Sequence, residues 1–357
     1  MSSSLFDLAV ELVSIPSVSH HEAALASRVE SELRACSWLE VFRIGDNVIA
    51  RTDQGCKDRI ILAGHLDTVP PLDNVDVLVE GDRLQGLGAV DMKGGLAVLL
   101  DLARSGSPRE TDVSWVFYAC EEVARKDSGL LTIWNEAPHL LQGSAAILAE
   151  PTGLTVEAGC QGTMTATVTL RGQRAHTARP YRGINAIHRL VPLLEILAAY
   201  TPRVVVLEGC SFKEALQAVK VYGGVASNVV PDEVVLTFNY RFAPDRGTQE
   251  AVAYLEGLFD RWLDPEMGDS LEVKEVVGGA MPQLDNPFLN KLVSESRLPP
   301  RGKLGWTDVA FFAERGIPAA NFGPGDPDLA HTPHEYVERS SLEAARAVLG
   351  SLIASPK

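Results

Sequence analysis

Apolar positions change their spacing several times along the chain, and each change marks an element. In LFDLAVELV the residues Leu5, Leu8, Ala9, Leu12 and Val13 fall on one helical face. The helical reading runs over 4–36, is broken at Ile15-Pro16-Ser17 and resumes at His20. Short apolar strands are predicted at 47–51 and 59–63. The second is apolar on consecutive positions, the pattern of a strand buried on both faces. VSWVFYAC (113–120) and SAAILAEP (144–151) read the same way, and MKGGLAVLLDLAR (92–104) reads as an apolar helix. Strands alternating with helices indicate an α/β layered domain.

Near residue 160 the pattern changes. TMTATVTLRG (163–172) and EVVLTFNYRF (233–242) alternate apolar with polar, as in a sheet with one wet face. Helices are predicted at about 184–199 and 248–263, and LQAVKVYGGV adds a strand. This β-α-β-β-α-β order predicts a small α+β, ferredoxin-like unit with an antiparallel sheet. After Gly278-Gly279 the α/β character returns, with a helix at 287–297, a strand at 317–323 and a final helix at about 340–354. The predicted organisation is a discontinuous larger domain, residues 1–161 and 272–357, interrupted by an inserted domain over 162–271. The larger domain is α/β, a mixed sheet with helices on both faces.

Composition narrows the function classes. The net charge of −15 argues against nucleic acid, whose phosphates need a basic face, and against an anionic membrane surface. No apolar run approaches the ~20 residues of a membrane span. The N-terminus lacks a basic region and a small-residue cleavage site, so it reads as the first helix and not as a signal peptide. Five widely spaced cysteines with no C-x-x-C suggest thiols in a reducing compartment, and the expected location is the cytoplasm.

Candidate chemistry lies where the predicted strands end, because ligands in open α/β sheets gather at the carboxyl ends of strands. RIILA runs into His65 and Asp67, VSWVFYAC into Glu121-Glu122, SAAILA into Glu150, and IPAANFGPG toward His331. Asp91 sits in the glycine-rich loop GLGAVDMKGG before a helix. Each signal has a plain alternative. In H-x-D, Asp67 could accept a hydrogen bond from the His65 ring nitrogen that does not bind metal and so fix its tautomer, and a purely structural pair is an equal alternative. Adjacent acids are often surface, although after an apolar strand two carboxylates repel unless a cation neutralises them. Asp91 could cap a helix, Glu150 could form a salt bridge, and His331 or the nearby His334 could be a surface residue. Five such positions, each at a strand or loop end in one α/β domain, are hard to explain structurally, and of two adjacent acids one can bind metal while its neighbour accepts a proton.

With those residues assembled, the sequence resembles the aminoacylase/carboxypeptidase superfamily of co-catalytic zinc hydrolases. The match lies in GHLDTVP, GLGAVDMKGG, CEE, LAEPTG and LAHTPHEYV, in that order, and spans essentially the whole chain. The resemblance implies a zinc-exopeptidase-like fold and an inserted dimerisation lid. It implies two zinc ions per subunit, with cobalt as a substitute: the first held by His65 and Glu150, the second by Glu122 and His331, and both bridged by Asp91. It implies Glu121 as general base, Asp67 as the orienter of His65, and a cis peptide at Asp91-Met92. His176 would reach into the partner subunit's site of a homodimer, and Asn228 and Arg241 would hold substrate. His334 stands where the superfamily usually has Asp or Asn, and so ranks below His331 as a ligand. Within the superfamily the nearer likeness is to the actinobacterial desuccinylases of lysine and diaminopimelate biosynthesis. They are matched by VEAGCQGTMTATVTLRGQRAHTARP, GINAIHRL, GGVASNVVPDEVVLTFNYRFAPDR and GWTDVAFFAERGIPAANFGPGDP. That implies N-succinyl-LL-2,6-diaminopimelate as the small-molecule substrate. Cys160-Gln161 and Trp306-Thr307 depart from the arginine and the small hydroxyl residues that some relatives carry. The competing readings are an acetylornithine deacetylase or carboxypeptidase of the same superfamily, and a metal-binding protein without activity.

Overall fold

The computed structural model describes residues 4–72, 74–106 and 111–354. The chain forms two compact units. The first comprises Met1–Ala158, Pro282–Arg301 and Asp308–Lys357, and the second Gly159–Met281 with Gly302–Thr307. The inner boundary expected at 271/272 falls inside the strand Ser270–Val277, which pairs along Gly162–Arg171, so the second unit runs on to Met281.

In the first unit the consecutive apolar runs form the centre of an eight-stranded mixed sheet. Arg59–His65 lies between Asp112–Tyr118 and Ala145–Leu148 and is parallel to both, and Ala319–Asn321 is parallel to Ala145–Leu148. Asp112–Tyr118 and Ala145–Leu148 are buried at every position, as parallel strands covered on both faces must be. The edge toward the N-terminus is antiparallel, with Asn47–Arg51 joining Glu40–Ile44 to Asp112–Tyr118. Helices Leu5–Val13, Ala23–Arg34 and Arg339–Ile353 pack on the apolar helix Gly94–Arg104. That helix can approach the sheet because residue 95 is glycine. A Cβ there would sit 2.2 Å from the carbonyl oxygen of Ala149, one residue before Glu150.

The second unit contains a four-stranded antiparallel sheet in the order Ala215–Gly223, Glu233–Phe242, Gly162–Arg171, Ser270–Val277. The two central strands alternate buried and half-buried positions along their whole length. Met164, Val168, Leu236, Phe238 and Phe242 form a core with Leu193 of the helix Val191–Ala198 and Leu255 and Phe259 of Thr248–Phe259. The helix predicted from 184 begins only at Val191. Asn185 accepts hydrogen bonds from the amides of Ile187 and His188, a turn that competes with helix, and His188–Leu190 is a 3-10 segment. A hairpin of Val204–Leu207 and Cys210–Lys213 was not foreseen. Beside it Glu214 is buried and accepts from Tyr240 Oη (3.0 Å), Arg203 Nη2 (2.8 Å) and the Ala243 amide (3.1 Å). No helix among the described residues is long and apolar enough to cross a membrane.

Candidate metal centre

The four parallel strands of the first unit bring their carboxyl ends to one edge. His65 ends one strand, Glu121-Glu122 follow a second, Glu150 follows a third, and the fourth leads on to His331. Asp91 comes from the irregular turn Ala89–Lys93, where the Asp91-Met92 peptide is cis.

The side chains converge on Asp91. His65 Nδ1 lies 3.0 Å from the carbonyl oxygen of Asp67, so the neutral ring donates there and leaves Nε2 as the ligand nitrogen. That Nε2 is 3.2 Å from Asp91 Oδ1 and 3.9 Å from Glu150 Oε1. On the other side His331 Nε2 is 2.8 Å from Glu122 Oε1 and 3.4 Å from Asp91 Oδ2. The two oxygens of Asp91 thus face two different histidines. Ligand atoms of His65, Asp91 and Glu150 lie within 4.8 Å of one another, as do those of Asp91, Glu122 and His331. An overlapping group, His65 with Glu121 and Glu122, meets the same limit. His334 is exposed.

The electrostatics show what such a cluster lacks. Burial opposes ionisation of Asp91, but hydrogen bonds with His331 and His65 hold it well below the usual carboxylate range. The same bonds from Asp91 and Glu122 push His331 up to about 10. Burial would lower His65, yet Asp67, Asp91 and Glu150 raise it well above its ordinary value. Glu121 is driven well above the carboxylate range by burial, against the pull of His65, with Asp308, Glu150 and Glu122 adding repulsion. In the chain by itself the crowded acids therefore favour the protonated forms of both histidines, and burial with the neighbouring acids favours that of Glu121. Divalent cations would replace those protons. Two imidazole nitrogens and several carboxylate oxygens, divided around a shared Asp91, are a donor set suited to a pair of such ions.

Asp67 contacts His65 Nδ1 twice, through its carbonyl oxygen at 3.0 Å and its carboxylate at 3.5 Å. The carboxylate also accepts from the amides of Glu121 and Glu122, both at 3.0 Å, and from Ser19 Oγ at 2.8 Å. Burial opposes its ionisation, but the His65 bond and those amides bring it down to about 2. Sequence reasoning also missed Glu22 and Glu335, both buried and both bonded to backbone in the segments that carry the site. The only sequence signal was their position: Glu22 opens a helix, and Glu335 lies four residues after His331.

The remaining predicted residues belong to the second unit. His176 and Asn228 lie on exposed adjoining loops, where Thr177 donates to the Asn228 carbonyl at 3.1 Å and His176 bridges Val229. His176 Nδ1 accepts from the Ala178 amide at 3.0 Å, so a neutral ring carries its proton on Nε2. Arg241 sits opposite Thr163 and Ala215 in the sheet, and its Nε donates to Asn239 Oδ1 at 3.0 Å. Burial lowers its proton affinity, and no acidic side chain among the described residues forms an ion pair with it. The two departures noted in the sequence also come together, with Cys160 Sγ 3.8 Å from the Thr307 carbonyl and the Gln161 amide donating to Lys303.

Residues 61–355 match the sequence pattern of peptidase family M20/M25/M40. The chain belongs to that family, whose members are metal-dependent. The succinyl-diaminopimelate desuccinylase of Corynebacterium glutamicum is 42% identical over 349 residues, 96% of this chain and 94% of the relative. A Mycobacterium tuberculosis protein, named as a candidate for that activity, is 46% identical over 340 residues, 95% of each chain. Among solved structures, a Bacillus cereus aminopeptidase superposes with a TM-score of 0.80 at 19% identity, covering 98% of this chain and 97% of its own. An M20 metallo-carboxypeptidase of Sulfolobus solfataricus superposes with a TM-score of 0.76 at 13% identity, covering 98% of both chains. These structural likenesses establish the fold.

Proposed function

We propose that this chain is a two-metal amide hydrolase that releases succinate and LL-2,6-diaminopimelate from N-succinyl-LL-2,6-diaminopimelate. The observation that carries the hydrolase reading is Asp91, whose two oxygens face two histidines in two ligand groups. Identity of 46% and 42% over nearly the whole chain to the two actinobacterial relatives supports the substrate.

In this reading His65, Glu150 and Asp91 hold one zinc ion, and Glu122, His331 and Asp91 hold the other, with cobalt able to substitute. When bound, such a pair lowers the pKa of a water toward ~7 and polarises the scissile carbonyl. Glu121, beside the ligands but assigned to neither ion, takes the proton of the attacking water and returns it to the leaving amine. His176 Nε2–H donates to the oxyanion. Arg241, half-buried and with no acidic partner among the described residues, takes a substrate carboxylate, and Asn228 hydrogen-bonds the substrate.

The same reading makes the protein a cytoplasmic homodimer in which His176 serves the partner's site. The strand Ala215–Gly223 is an edge strand, and it leaves Val219, Val221 and Tyr222 at 58%, 49% and 58% exposure. An edge with exposed apolar residues is a ready template for a second chain. Metal analysis combined with succinate release tests the function. The expected result is two zinc ions per chain and release from the N-succinyl substrate in preference to N-acetylornithine and dipeptides. Preference for either competitor would move the assignment to that activity.

A further inference from the structure

Three successive amides at the base-bearing turn are received by two buried carboxylates. Cys120 N donates to Glu22 Oε1 at 3.1 Å, Glu121 N to Asp67 Oδ1 at 3.0 Å, and Glu122 N to Asp67 Oδ2 at 3.0 Å. Cys120 holds φ at 59°, a left-handed conformation uncommon outside glycine. Glu22 Oε1 also takes the His20 amide at 3.0 Å and the Cys120 thiol at 3.3 Å. Although Glu22 precedes the helix Ala23–Arg34, its side chain does not cap that helix. The bridging ligand has a matching support: Glu335 Oε1 takes the amides of Val90 and Asp91, each at 2.9 Å. Both glutamates are 1% exposed.

A buried carboxylate is costly unless hydrogen-bonded, so one spent on a backbone amide fixes the path of that backbone firmly. Glu22 holds Cys120 by amide and thiol, and Glu335 holds the amides of Val90 and Asp91. We infer that Glu22 and Glu335 are positioning residues for the site: Glu22 fixes the turn that separates the directions of Glu121 and Glu122, and Glu335 fixes the backbone of Asp91. The two should differ in what they control. Glu22 acts through the base and so governs turnover. Glu335 acts through the ligand shared by both groups and so governs metal affinity.

The roles of Glu121 and Asp91 used here rest on the proposed function, so the test includes readouts independent of activity. Glutamine keeps an acceptor oxygen at the same reach and drops the charge, while aspartate keeps the charge and withdraws the oxygen by one methylene. Glu22→Asp is expected to lower kcat about 10- to 100-fold with KM and zinc content unchanged, since small misplacements of a reacting group cost that much. The Cys120 amide should lose hydrogen-exchange protection in the same variant. Glu335→Asp is expected to weaken zinc binding, measured with zinc alone, by about 10- to 100-fold, as loss of a ligand's support does. Glu22→Gln and Glu335→Gln should stay close to wild type in kcat, zinc affinity and exchange. The inference is overturned if the glutamine variants lose as much as the aspartate variants, or if neither pair changes. Should an aspartate variant not fold, its glutamine counterpart still decides, because loss there removes the acceptor argument. If the wild type itself releases no succinate, the functional reading fails, while zinc affinity and amide exchange still decide the positioning roles.

Discussion

The two units place functional side chains in opposite ways. In the first, the strands that lead to the site are buried on both faces, and the residues at their ends are held by bonds to other backbone segments. In the second, strands are covered on one face only, and His176 and Asn228 lie on exposed loops. Glu214, one of its buried acids, is bonded mainly to tyrosine and arginine side chains outside those loops. The first unit is preorganised for charge placed at fixed points. The second leaves His176 and Asn228 where their surroundings can still change. In the proposed function, bond-breaking draws on the former and choice among acyl groups on the latter.

The sharpest way to break this contrast is Glu121→Gln. It should lower kcat by about 10²- to 10⁴-fold, the usual worth of a positioned acid-base group, with both ions retained. Near-normal turnover would show that fixed geometry in the first unit does not carry the chemistry. His176→Ala should cost about 10²- to 10³-fold in kcat, as loss of an oxyanion donor does. Mixing it with an inactive Glu122→Gln chain should restore about a quarter of wild-type activity if subunits exchange freely in a symmetric dimer. No recovery would confine each site to its own chain. Glu214→Ala should cost about 1–3 kcal/mol, because the buried Tyr240 hydroxyl and Ala243 amide lose their acceptor. Thermal melting should register that loss while zinc content stays unchanged, and a loss of zinc would overturn the separation of this stabilising cluster from the metal centre. The smallest effect is on pH dependence. Histidine in an unfolded chain titrates near ~6.5, whereas hydrogen bonds with Asp91 and Glu122 raise His331 to about 10 in the chain alone. That contribution to the metal-free fold is complete below about pH 6.5 and is lost as pH rises toward about 10. Melting temperatures of metal-free protein should fall over that interval, and less steeply in His331→Ala.

What the sequence reveals divides along the same line. Strand ends are legible because fully buried parallel strands write themselves as unbroken apolar runs, so His65, Glu121, Glu122 and Glu150 stand out where each run stops. Glu22 and Glu335 do not stand out. Each is an ordinary acid in its local context, and its meaning depends on partners 98 and about 245 residues away. Asp67 was noticed as a neighbour of His65, but its carboxylate bonds to Glu121 and Glu122, which local spacing cannot foretell. In the second unit the alternating strands were plain, while the late start of the helix Val191–Ala198 was hidden by apolar residues that Asn185 diverts into a turn.

The first unit is assembled from both ends of the chain, with the second threaded between them. During synthesis His65, Asp91 and Glu150 therefore leave the ribosome well before His331 and Glu335. A nascent chain can gather one of the proposed ligand groups early, but the other stays open until residue 331 is made. A message cut short before that residue would leave the second group without His331 and the Asp91 amide without Glu335.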